Sequence, residues 1–104
     1  MRRPEIVKQI KSVIKEAAPT AKTILFGSEA RGDAREDSDI DVLVLLGKDN
    51  LTYEDENVVR WPLYQLEIKT GVSINPIIMS RKSWESRQIK TPFYSNIVRE
   101  GVVL

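Results

Sequence analysis

The sequence predicts a single α/β (α+β) domain, a small mixed β-sheet flanked by helices, and three observations predict it. Amphipathic stretches with apolar residues every three or four positions alternate with short apolar runs rich in β-branched residues. Glycines and prolines punctuate the joins between them. The chain has 104 residues, 41% hydrophobic and 30% charged, enough for one modest core, so one domain is expected over residues 1–104.

Ile6, Ile10, Val13, Ile14 and Ala17 recur at helical spacing. Pro4 suits an early helical position and Pro19 the end, which gives a first helix of about four turns. Thr23 to Phe26 reads as a buried strand closed by Gly27-Ser28. Ile40 to Leu46 is apolar on both alternating faces, as expected of a central strand covered on both sides. Leu51 to Thr70 reads as a helix, with Thr52 and Asp55 at capping-box spacing and Gly71 as its stop. Pro62 is expected to kink it or split it in two. Val72 to Met79 reads as a strand, at an edge or a bulge because Pro76 cannot donate to a ladder. Ser80 to Gln88 is a weak short helix. Thr91-Pro92 begins the last helix, with Phe93, Ile97 and Val98 inward and Gly101 as its stop.

Composition removes several chemistries. The chain has neither cysteine nor histidine, so thiol nucleophiles, disulfides, serine–histidine triads and histidine metal sites are excluded. Sixteen Lys and Arg against 15 Asp and Glu leave a net charge of +1, which argues against general nucleic-acid or membrane-surface binding by bulk charge. The longest apolar run, Val42 to Leu46, is too short to span a bilayer, and a cytoplasmic location is expected.

The chemistry-bearing segment runs from Gly27-Ser28-Glu29-Ala30-Arg31-Gly32-Asp33 to Asp37-Ser38-Asp39-Ile40-Asp41-Val42-Leu43-Val44. A strand that ends in Gly-Ser and turns into a helix offers free N–H groups and a positive dipole end to phosphate oxygens. The Ser28 hydroxyl adds a donor, Gly27 permits close backbone approach, and Arg31 lies one helical turn from Ser28. Asp39 and Asp41 share one strand face, about 7 Å apart, and paired carboxylates there suit a hard divalent cation. Singly, these features also read as an ordinary turn, a surface charge and a solvated acidic loop. Their conjunction points to phosphoryl or nucleotidyl transfer.

The stretch from Leu25 to Val44, with its Gly-Ser, Arg-Gly and Ser-Asp-Ile-Asp elements, resembles the signature of the DNA polymerase beta-type nucleotidyltransferase superfamily, in particular its minimal nucleotidyltransferase branch. The resemblance implies a phosphate role for Gly27 and Ser28, an anion contact from Arg31, and metal ligation by Asp39 and Asp41 with Mg²⁺ or Mn²⁺. It also implies nucleotidyl transfer from a nucleoside triphosphate. Minimal members often pair with a small helical protein, some as antitoxins that adenylylate a toxin. A small helical partner or self-association is therefore expected, around Trp61, Tyr64 and the tail Val102-Val103-Leu104.

One position departs from the pattern. Active members bring a third carboxylate from a neighbouring strand, but Val72 to Met79 contains none. Asn75 or Ser73 would stand in its place, and Glu67 is the nearest upstream carboxylate. Three readings stay open: a site working with a neutral third ligand, a site that binds nucleotide weakly, or a degenerate enzyme acting as an antitoxin-like binding module. Trp61, Tyr64 and Trp84 read as packing residues more than base-stacking ones. Arg81, Lys82, Arg87 and Lys90 read as a solvated face that could also contact acceptor phosphates.

Overall fold

The computed structural model describes residues 1–86 and 91–104. Its elements run α1 (Pro4–Ala17), β1 (Lys22–Phe26), α2 (Gly27–Arg31), β2 (Ile40–Leu46), α3 (Tyr53–Thr70), β3 (Ile74–Ser80), α4 (Arg81–Glu85), α5 (Pro92–Glu100) and β4 (Val102–Val103). The strands form one mixed sheet in the order β3-β2-β1-β4. β1 is antiparallel to β2 and to β4, whereas β2 and β3 are parallel.

The doubly apolar pattern of β2 has the expected cause. It lies inside the sheet, and its alternate side chains feed two separate cores. Ile40, Val42 and Val44 pack with Val7, Ile10 and Ile14 of α1 and Val59, Leu63 and Leu66 of α3. Leu43 and Leu45 pack on the other face with Trp84 of α4 and Ile97 of α5. Each fully buried aliphatic side chain contributes about 1.5–3 kcal/mol of apolar transfer, so both layers are needed to hold the strand. β3 is an edge strand, where the missing N–H of Pro76 costs no interior ladder bond.

α3 starts on the expected capping box: Asp55 N donates to Thr52 Oγ1 (3.2 Å) and Thr52 N donates to Asp55 Oδ2 (2.9 Å). The Thr52 N–H, then Lys48 at 3.0 Å, hold the Asp55 carboxyl below its ordinary value. The helix ends at Gly71, whose φ of +72° is the left-handed cap geometry. It runs unbroken through Pro62, because packing of Val59, Leu63 and Leu66 holds both halves on the same sheet face. α4 is capped by Ser80 and covers less than expected; the anticipated end at Gln88 lies outside the described residues.

Three expectations are corrected. Val98 is 63% exposed, because Phe93 and Ile97 share the sheet-facing side of α5 while Val98 sits about a quarter turn round from Ile97. Trp61 and Tyr64 stay about half exposed and stack on each other (5.8 Å), whereas Trp84 is buried against Tyr94 (4.7 Å). The tail is an internal structural element: Val102 and Val103 pair with Leu25 and Ile24 of β1, and Leu104 N donates to the Thr23 carbonyl (2.9 Å). Among the described residues no helix is long and apolar enough to cross a membrane.

Candidate active site

The C-terminal end of β1 and the N-terminal ends of β2 and β3 meet at one end of the sheet. Cross-strand register sets Asp41 beside Phe26 on one side and beside Asn75 on the other. Asp41 shares its strand face with Leu43 and Leu45, so its carboxylate lies on the α4/α5 side. Asp39 lies just before β2 and is exposed. The Ile40 N–H donates to the Ser73 carbonyl (2.9 Å), extending the pairing with the β3 side to this end of the sheet.

Gly27 and Asp41 fit together in a way that explains the glycine. Gly27 has a φ of +74°, and a Cβ built on it would collide with Asp41 Oδ2. The turn and the carboxylate thus abut directly. On its other oxygen Asp41 accepts a hydrogen bond from Asn75 Nδ2 at 3.0 Å. Of the two residues expected near a third-ligand position, Asn75 is thus bonded to Asp41, while the Ser73 carbonyl takes part in the strand pairing. Glu67 is engaged elsewhere: its Oε1 accepts the Ile74 N–H (2.9 Å) from α3, which covers the opposite sheet face. Among the described residues no three His, Cys, Asp or Glu side chains gather into a metal-binding group. Asp39 and Asp41 are the carboxylates here that could help to hold a hard cation, whose remaining ligands would be water and phosphate.

Ser28 stands half-buried in the first turn of α2, and Arg31 ends that helix. Arg31 bonds Asp33 Oδ2 (3.3 Å) and Glu100 Oε1 (3.2 Å), and the Asp33 contact, ahead of the one to Glu100, raises its pKa further. The same Glu100 oxygen accepts the Gly27 N–H at 3.3 Å. A carboxylate from α5 thus rests on two of the donors that the sequence assigns to phosphate. No local pattern could reveal it, since Glu100 lies 73 residues from Gly27.

Glu29 was also silent in sequence. Its side chain is fully buried, accepts the N–H groups of Arg2 (2.6 Å) and Arg3 (2.7 Å), and pairs with Arg3 Nε at 2.7 Å. Burial acts to raise its pKa, but the Arg3 and Arg2 hydrogen bonds and the Arg3 charge outweigh it and hold the carboxyl below its ordinary value. The result is a clamp that ties α2 to the segment leading into α1. The basic cluster does not reach the site as a unit: Arg81 donates to the Thr20 carbonyl (3.0 Å) and Lys82 lies 3.7 Å from Asp49. Arg87 and Lys90 lie outside the described residues.

Known proteins resemble this chain in sequence and fold. A family model for the nucleotidyltransferase domain matches residues 7–102. The Methanocaldococcus jannaschii protein named "Putative protein adenylyltransferase MJ0604" is 38% identical over 100 residues, which cover 96% of this chain and 91% of that one. A solved structure of a "putative minimal nucleotidyltransferase" has a TM-score of 0.63 at 27% identity, covering 100% of this chain and 97% of that one. A solved toxin-antitoxin structure with AMP-PNP has the same fold, with a TM-score of 0.64 at 21% identity and coverage of 92% and 69%. With the family match spanning nearly all of a domain that joins a Gly-Ser turn to a strand-borne aspartate, this chain belongs to the nucleotidyltransferase domain family.

Proposed function

We propose that this domain binds a nucleoside triphosphate with Mg²⁺ or Mn²⁺ at the β1–α2 turn and transfers a nucleotidyl group to an acceptor hydroxyl. The observation that carries this reading is the abutment of Gly27 and Asp41, which brings the Gly-Ser turn and a strand-borne carboxylate to one spot. Backbone N–H groups of the turn and the Ser28 hydroxyl would bind phosphate oxygens, with Arg31 adding charge. Asp39 and Asp41 would hold the cation, which when bound offsets negative charge on the phosphates. The adenylyltransferase name of the M. jannaschii relative supports ATP as donor and a protein hydroxyl as acceptor. AMP-PNP in the toxin-antitoxin structure supports an adenine nucleotide and a protein partner.

Calorimetry with ATP is expected to show binding with Mg²⁺ and loss of most of it in EDTA, and α-labelled ATP is expected to label an acceptor protein. Equal binding with and without divalent cation would overturn the metal assignment.

A second reading rests on Asn75. Its amide offers an oxygen but no charge, and it is hydrogen-bonded to Asp41, where a carboxylate would add charge. A domain so built could serve as a catalytically weak, antitoxin-like module that binds a small helical protein. Asn75→Asp separates the readings. With an authentic acceptor, it should tighten Mn²⁺ binding and raise label transfer at least tenfold, about 1.4 kcal/mol in the barrier, if the missing charge limits the reaction. Equal turnover by wild type would mean that the site is complete as it stands.

The Glu100 contact gives a further expectation. Triphosphate must displace its carboxylate from Gly27 and Arg31, so Glu100→Gln should strengthen ATP binding by about 1 kcal/mol, roughly fivefold. Weaker binding in a titration would show instead that Glu100 holds the turn in its working shape.

A further inference from the structure

The outer face of α3 is apolar where a solvent-facing helix should be polar. Val58, Trp61, Tyr64 and Ile68 are spaced three and four apart, and all are at least half exposed. They lie opposite Val59, Leu63 and Leu66, which face the core. Beside this stripe is a groove of about 520 Å³ between α1 and α3, lined by Val13, Ala17, Val58, Pro62 and Leu66. Pro62 has no N–H to offer the Val58 carbonyl, so that carbonyl, next to the groove, lacks its usual helical donor.

Charge on the face identifies the occupant. Arg60 is paired with Glu56 (3.1 Å) and Asp55 with Lys48 (3.0 Å). Among the described residues, the exposed Glu54 and Lys69 of α3 are in no ion pair, nor is Glu16 of α1, which lines the groove with Lys69. Glu54 and Lys69 have opposite signs, stand at opposite ends of the stripe about 22 Å apart, and lie toward its groove side. Such a face is complementary to itself when turned end for end. An antiparallel copy centred between Trp61 and Pro62 sets Glu54 level with Lys69 of its mate and Val58 level with Gln65, and brings the two Trp61 side chains together beside the two-fold axis.

We propose that the occupant of this face is a second copy of the chain, in a two-fold, antiparallel α3–α3 dimer that buries the two Trp61 side chains against each other. The inference does not rest on the nucleotide reading. α3 covers the sheet face opposite the Asp41 side chain, so the dimer leaves the candidate active site open. One helix face with an α1 margin is small for a specific interface, which sets the expected dissociation constant in the micromolar range.

Sedimentation velocity from low micromolar to high micromolar concentration tests it. Wild type should move from monomer to dimer across that range. Trp61→Glu should stay monomeric, with unchanged helical circular dichroism. Glu54→Lys and Lys69→Glu should each weaken the dimer at least tenfold, and the double exchange Glu54→Lys with Lys69→Glu should restore it. A monomer throughout would overturn the proposal. So would a dimer that Trp61→Glu leaves intact, single charge variants that do not weaken association, or a double exchange that fails to restore it. A wild type that is monomeric alone and assembles only with a different helical protein would also overturn it.

Discussion

Replacing Asp39 and Asp41 together with asparagine is expected to abolish Mg²⁺-dependent ATP binding while the domain stays folded. Each substitution keeps the side-chain shape and removes one negative charge, and two neutral amides cannot hold a hydrated hard cation. Asp39 is exposed, and Asp41 can still accept from Asn75 through an amide oxygen, so the thermal midpoint should move little. The expected loss in calorimetry is at least a hundredfold, about 2.7 kcal/mol. Metal-dependent affinity equal to wild type would place the cation elsewhere.

Glu29→Ala is expected to have the largest effect on stability. It strands two backbone N–H groups and the Arg3 guanidinium, whose side chain is 15% exposed, without their acceptor. Removing one partner of a buried ion pair costs about 3–5 kcal/mol, and the lower end suits a pair with some solvent access. In a domain of this size about 3 kcal/mol lowers the melting temperature by roughly 12–24 °C. Glu29→Gln keeps the shape and gives the pH test. The carboxyl is held below its usual value near 4.5 in the fold, so the unfolded chain binds more protons as pH falls through that region. The stability that ionised Glu29 contributes is therefore fully present above about pH 4.5 and is lost as pH drops through the lower folded pKa. The wild-type advantage over Glu29→Gln should be flat near neutrality and shrink below about pH 4.5. An advantage unchanged down to pH 2 would rule out the clamp as its source.

Much of the fold and part of the candidate site are legible in the sequence because they depend on local rules. The Thr52–Asp55 box, the Gly71 stop, the double-sided pattern of Ile40 to Leu46 and the edge position implied by Pro76 each follow from backbone geometry within a few residues. The alternation of β2 also puts Asp41 on one face with the inward Leu43 and Leu45.

What only the tertiary structure decided lies across long sequence separations. Apolar spacing says which residues are greasy, not which are covered, so Val98 and Trp61 were free to lie outside and the tail to become β4. Strand register brought Asn75 to Asp41 over 34 residues, and a one-residue slip would have turned it away. Glu100 on Gly27 and Glu29 on Arg3 are likewise contacts between distant segments. The sequence by itself determined the elements, their caps and the chemical types at the turn and strand. The packed sheet decided which carboxylates meet which donors, because that choice depends on where separate elements come to rest against one another.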